Sequence, residues 1–183
     1  MLLFSETLEE VKNRIICNSE IMKLMNLPVI EKDDDPKIVN QKINQVINKA
    51  ITKTAQNPRA LGEKVKPITI NNITYDRYEE IRITISILQS NILGSDLFGN
   101  PRIEINVYYD NNNPDKALKI IDLISNEFSG KDLNVFWEEN GHTHLVTREL
   151  TNDGMVTQTA NINNYEKVGI RFSFYATHYV PNY

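Results

Sequence analysis

The chain has 183 residues, 40% hydrophobic and 24% charged, with 20 Lys and Arg against 24 Asp and Glu for a net charge of −4. That balance excludes wholesale disorder, a membrane-spanning chain and a strongly basic nucleic-acid binder, and the length predicts one soluble domain over residues 1–183, to which the order of helices and strands gives the α+β class. One cysteine, Cys17, excludes an internal disulfide and every cysteine-based zinc pattern, and Met1 to Phe4 turns acidic at Glu6 with no basic start, so no signal peptide is expected.

In chain order, Thr7-Leu8-Glu9-Glu10 has the form of a capping box, and Leu8, Val11 and Ile15 recur at helical spacing, which predicts a helix from about Thr7. Asn18-Ser19 is the expected break and new N-cap, and the apolar helix that follows should stop at Pro28. Cys17 is expected to be a buried structural cysteine. Asp33-Asp34-Asp35 before Pro36 fits a cap with proline as first helical residue, and the offsets of a calcium loop are missing. From there Val39, Ile43, Val46, Ile47 and Ala50 trace an apolar stripe that should be buried, with Asn57-Pro58 as the end of the helix.

Residues 57–67 hold Pro58, Arg59, Gly62, Lys64, Lys66 and Pro67 with few apolar positions, so an exposed basic loop is predicted, with Arg59, Lys64 and Lys66 as candidate contacts to a subunit or partner. Ile68 to Ile70 and Ile73 to Tyr75 around Asn71-Asn72 predict a tight hairpin. Ile81, Ile83, Ile85 and Ile87 alternate with polar residues, and so do Ile103, Ile105 and Val107, as two paired strands with one buried and one polar face require.

Asn111-Asn112-Asn113-Pro114 should open a second strong helix with Ala117, Leu118, Ile121, Ile124 and Phe128 on its buried face and Gly130 as its stop. Strands are expected near Leu133 to Trp137 and Leu145 to Leu150. Thr151 to Gly154 should then turn the chain into another strand, and an aromatic strand near Val168 to Tyr179 closes the fold. The expected architecture is a mainly antiparallel sheet packed against N-terminal helices and one inserted helix.

For chemistry, His142 and His144 share a strand face with Glu138 and Glu139 nearby, but Gly141 signals a turn and no third ligand matches, so solvated loop residues and no metal site are predicted. Neither a glycine-rich phosphate loop nor a nucleophile elbow is found, so no catalytic residue and no cofactor is expected, and the chain reads as an assembly protein rather than an enzyme.

Two short helices (Leu8 to Ile16 and Glu20 to Met25), a charged loop, the strands Arg82 to Ile87 and Ile103 to Tyr109, a helix and a closing aromatic strand follow one another in this order. That succession resembles the tail-terminator or tail-completion proteins of long-tailed bacteriophages. The resemblance implies a structural virion subunit, assembled in the host cytoplasm, that forms a ring of six copies. Such a ring caps the tail tube or sheath, meets the neck proteins and lets DNA pass through its channel, with no membrane partner. A neck or head-to-tail connector subunit is the alternative within this class, and a small cytosolic enzyme or ligand-binding domain is the alternative outside it.

Overall fold

The computed structural model describes residues 4–49, 51–52, 65–70, 73–78, 81–88, 102–110, 114–158 and 165–174. Helix α1 (Phe4–Cys17) and helix α2 (Ser19–Leu24) meet at the single residue Asn18. Its side-chain oxygen accepts the backbone N–H groups of Glu20 and Ile21, so two otherwise orphaned donors of α2 are satisfied. The first helix begins at Phe4, earlier than the capping pattern suggests. The second ends before Pro28, because Asn26 takes a left-handed φ of 54° that helix geometry cannot continue.

Helix α3 (Pro36–Lys49) starts as the sequence implies, with Asp35 Oδ1 accepting the Lys37 N–H at 2.8 Å. Asp34 takes a second role: Lys42 Nζ donates to its carboxylate at 2.6 Å and to the Val29 carbonyl at 2.8 Å, which ties the loop to the helix. The end of α3 is a correction. The chain leaves the helix after Lys49, well before Asn57-Pro58, and Ile51–Thr52 form a two-residue strand β1, parallel to the strand that contains Ile83 and Thr84. Of the expected stripe, Val46 is buried, Val39 and Ile43 are half-buried and the neighbouring Ile38 is exposed, because α3 packs on the short outer strand β1 and not over the sheet centre. Ile47 and Ala50 lie outside the described side chains.

Strands β2 (Val65–Ile70) and β3 (Ile73–Tyr78) form a separate antiparallel pair in the expected register, Ile70 opposite Ile73. The main sheet takes β1, β4 (Arg82–Leu88), β5 (Arg102–Asp110), β8 (Tyr165–Ser173), β7 (His142–Gln158) and β6 (Lys131–Glu139) in that order, and every pair except β1–β4 is antiparallel. The predicted α+β class, a mainly antiparallel sheet packed on helices, is the class observed. No helix among the described residues is long and apolar enough to cross a membrane.

Alternation in the three central strands builds the core. In register, Ile83–Val107–Val168, Ile85–Ile105–Ile170 and Ile87–Ile103–Phe172 form three apolar rows, nearly all fully buried. Over them lies α4 (Pro114–Phe128), whose Ala117, Ile120, Ile121, Ile124 and Phe128 are buried, with the Phe128 ring edge-on to Phe172 at 5.8 Å. Burying each such large side chain stabilises the fold by roughly 1.5–3 kcal/mol. Leu118 is a correction: it is 43% exposed and Ile120 occupies the inner face, because residues 117, 120, 121, 124 and 128 share one side of a 3.6-residue helix and 118 falls off it. Gly130, at φ 63°, ends the helix as predicted and donates its N–H to the Leu150 carbonyl.

Residues 151–154 are a third correction. No turn forms there; β7 runs unbroken through a β-bulge between Asn152 and Gly154. From His142 to Leu150 β7 pairs with β6, and from Thr151 onward, on both sides of the bulge, it pairs with β8. Gly154 supplies the φ of 106° and donates its N–H to Asn152 Oδ1, while Asn152 Nδ2 donates to Ser125 on α4 and to Ser129 just past its end, at 3.1 Å each. Asp153, the extra residue, accepts from Ser173 Oγ and pairs with Arg102. Turn-forming residues are used here to change a strand's partner.

Candidate assembly interface

The helix side of the sheet is filled by the core, so the opposite side is where the strands meet other things, and it divides in two. On β4 and β5 the residues between the core positions are polar, and the sequence assigns them to a polar face. The structure buries them: Arg82, Thr84, Glu104 and Asn106 are each less than 8% exposed. Glu104 Oε1 accepts from Asn106 Nδ2 at 2.8 Å, its Oε2 accepts from Arg171 Nε at 2.7 Å, and Lys167 Nζ lies 3.9 Å away. Burial alone would raise the Glu104 pKa, but these two hydrogen bonds and the charges of Arg171 and Lys167 outweigh it and hold the carboxyl below its ordinary value. Gly169 lies opposite Asn106, and a Cβ built there would come within 2.4 Å of Asn106 Oδ1, so the glycine makes the room in which this amide sits.

On β6 and β7 the outer side is exposed. Asn140 and Gly141, with φ of 53° and 79°, make a two-residue turn, and the register from Glu139–His142 back to Lys131–Leu150 follows from it. Leu133, Val135 and Trp137 therefore point to the core, and Asp132, Asn134, Phe136 and Glu138 point outward beside Thr143, Leu145, Thr147 and Glu149. Phe136 and Leu145 are cross-strand partners, 58% and 52% exposed, and they are the only facing pair among the large exposed hydrophobic side chains of the described residues. Beside them, Ser5, Glu6, Glu9, Glu10 and Asn13 of α1 and the Phe136 ring line a cleft of about 300 Å³. Two of its carboxylates are already matched on α1, Glu9 by Lys12 and Glu10 by Arg14. Arg14 Nη2 also donates to the Asp132 carbonyl at 2.9 Å, so the helix is latched to one end of β6.

A second open cleft, of about 480 Å³, lies where α1 and α2 meet α4 and includes Arg14, Cys17 and Glu127. Cys17 is exposed, contrary to the buried role expected from its helix, because it is the last residue of α1. Partial burial of the thiol, and then the charge of Glu10, raise its pKa above the ordinary value, which leaves it in the unreactive thiol form.

His142 and His144 stand in β7 and not in a loop. His144 is half-buried and stacks on Trp137, ring centroids 4.9 Å apart, while Glu138 and Glu139 pair in register with Thr143 and His142. No three His, Cys, Asp or Glu side chains converge among the described residues. Of the proposed contact residues, Arg59 and Lys64 lie outside the described residues. Lys66 is in strand β2, in register with Arg77, so the predicted loop gives way to strand from Val65 onward; alternation of Val65, Pro67 and Thr69 with Ile68 and Ile70 sustains that strand.

Sequence reasoning passed over Phe136 and Leu145, yet a signal for them exists. Asn-Gly at 140–141 sets the pairing, and in that register Phe136 interrupts the outward polar positions of a strand directly across from Leu145. No family model matches the chain and no curated protein matches its sequence.

Proposed function

We propose that this chain is a structural subunit of a virion, a tail-terminator or tail-completion protein whose copies close into a ring on the tail tube or sheath and join it to the neck. One observation carries the assembly reading: Phe136 and Leu145 stand side by side in solvent on an outer hairpin of the sheet. A contiguous apolar patch next to an open strand edge is costly for a free monomer and serves a protein contact. The ring and its place on a tail come from the resemblance in element order. Arg59, Lys64 and Lys66 supply further basic contacts to the neighbouring subunit or tube in this reading. Heterologous interfaces that close give rings of fixed copy number, so the subunit acts by binding and position. Light scattering and negative-stain microscopy, alone and with purified tail tubes, test it: rings or capped tubes are expected, and monomers under both conditions overturn it.

A further inference from the structure

Strands joined by a two-residue turn bond to each other through alternate residues, counted from the pair that flanks the turn. Glu139 and His142 flank Asn140-Gly141, so odd-numbered residues of β6 bond to β7, and Asp132, Asn134, Phe136 and Glu138 turn their N–H and C=O groups away from the sheet. The bond from Arg14 to the Asp132 carbonyl agrees with this count. Among the described residues, β6 is thus an edge strand whose outward backbone groups from Asn134 to Glu138 have no strand partner beside the α1 cleft.

The other edges differ. In β2 the same count, from Ile70 and Ile73, turns Val65, Pro67 and Thr69 outward, and Pro67 has no N–H to offer. Proline at such a position is a known device against strand addition. At the far end of the main sheet, β1 has only two residues. Edge β6 keeps its donors and also stands beside the exposed Phe136–Leu145 pair.

Charge then selects the partner. The outer side of the hairpin carries Asp132, Glu138 and Glu149 and no lysine or arginine, and the cleft beside it adds Glu6. Antiparallel pairing of β6 with β6 of a second copy, centred on Val135, would set each Asp132 opposite the other copy's Glu138, which is repulsive. Pro67 likewise makes β2 of a second copy a poor strand to add. We infer that β6 accepts an extended segment of a different protein, bonded through the backbone, with an apolar side chain beside Phe136 and lysines or arginines flanking it. The inference rests on the assembly reading only in that the partner is a protein; it does not need the ring.

The probe is a short synthetic peptide of alternating valine and lysine, titrated against the full chain. Its controls are an alternating valine–glutamate peptide and the lysine peptide N-methylated at every second amide, made in both registers. Binding of the lysine peptide is expected, with amide NMR shifts at Asn134, Phe136 and Glu138, and charge reversal or N-methylation in the bonding register should weaken it at least about tenfold. Asn134→Pro carries to β6 the device that Pro67 gives β2 and should abolish binding while thermal unfolding is little changed. Phe136→Lys, which leaves the backbone intact, is the second variant and should also weaken binding. Absence of binding, equal binding of the N-methylated peptides, or binding indifferent to a folded Asn134→Pro and to Phe136→Lys overturns the inference. Light scattering and microscopy, alone and with tail tubes, read the ring separately: rings without peptide binding sink only this inference, and peptide binding by a chain that stays monomeric under both conditions sinks only the ring.

Discussion

The two halves of the sheet's outer side invert the usual rule of what faces water. On β4 and β5 it is polar and buried, flanked by the half-buried Lys167 and Arg171 of β8; on β6 and β7 it holds an apolar pair and is exposed. The difference lies in what covers each half. Strand β3 of the separate hairpin reaches β5, which already has β4 and β8 at its edges, whereas no described element lies over the outer side of β6 and β7. A charge shut away from water must be matched, and Glu104 is matched by Asn106, Arg171 and Lys167. Phe136 and Leu145 need no such match, only a partner that removes them from water. One half therefore holds the fold together, and the other is the half proposed to take a partner.

The sharpest way to break that contrast is Glu104→Ala. It leaves the Arg171 and Lys167 cations facing each other beside a buried amide. Because Arg171 keeps a third of its side chain exposed, the low end of the range for a broken buried pair applies, about 3 kcal/mol, or a fall in Tm of roughly 6 to 12 °C by calorimetry. A loss within error would mean that the cluster is solvated. Gly169→Ala comes next: the added methyl must displace the Asn106 amide, and urea unfolding should show a loss of about 2 kcal/mol. Combined with Asn106→Gly the loss should shrink, which separates crowding from a plain backbone effect.

Acid sharpens the comparison without a new side chain. The folded pKa of Glu104 is depressed, so its contribution is complete above the ordinary value of 4.5 and disappears as pH falls through the lowered folded value. Stability of the wild type should therefore fall with pH in that acid window more steeply than that of Glu104→Gln, measured by urea midpoints. Parallel pH profiles would remove the carboxylate from the account. The smallest expected effect is on the other half: Phe136→Ser with Leu145→Thr should change stability by no more than about 0.5 kcal/mol each, while assembly on tail tubes, counted by microscopy, is lost. Normal assembly at unchanged stability would return this pair to plain solvent.

Local chemistry made much of the fold legible. Asn18 and Asp35 cap helices where their side chains compete for backbone N–H groups, Gly130 stops α4, and the isoleucine alternation of β4 and β5 gives both their pairing and their inner face. These features depend on neighbours a few residues away, so the sequence by itself determined them, and it contained the Asn-Gly turn that sets Phe136 against Leu145. What only the tertiary structure decided depends on what lies across the chain. Thr151 to Gly154 have the composition of a turn, but pairing with β8, with Ser125, Ser129 and Ser173 taking up the side chains, makes them a bulge in a continuous strand. Leu118 and Ile120 are equally apolar, and only the angle at which α4 meets the sheet sends one out and the other in. Arg82, Glu104 and Asn106 read as a solvated face because alternation reports which side a residue points to and says nothing about what covers that side. Burial is a property of the whole packed chain, and for that reason the buried polar cluster and the open edge of β6 emerged only with the fold.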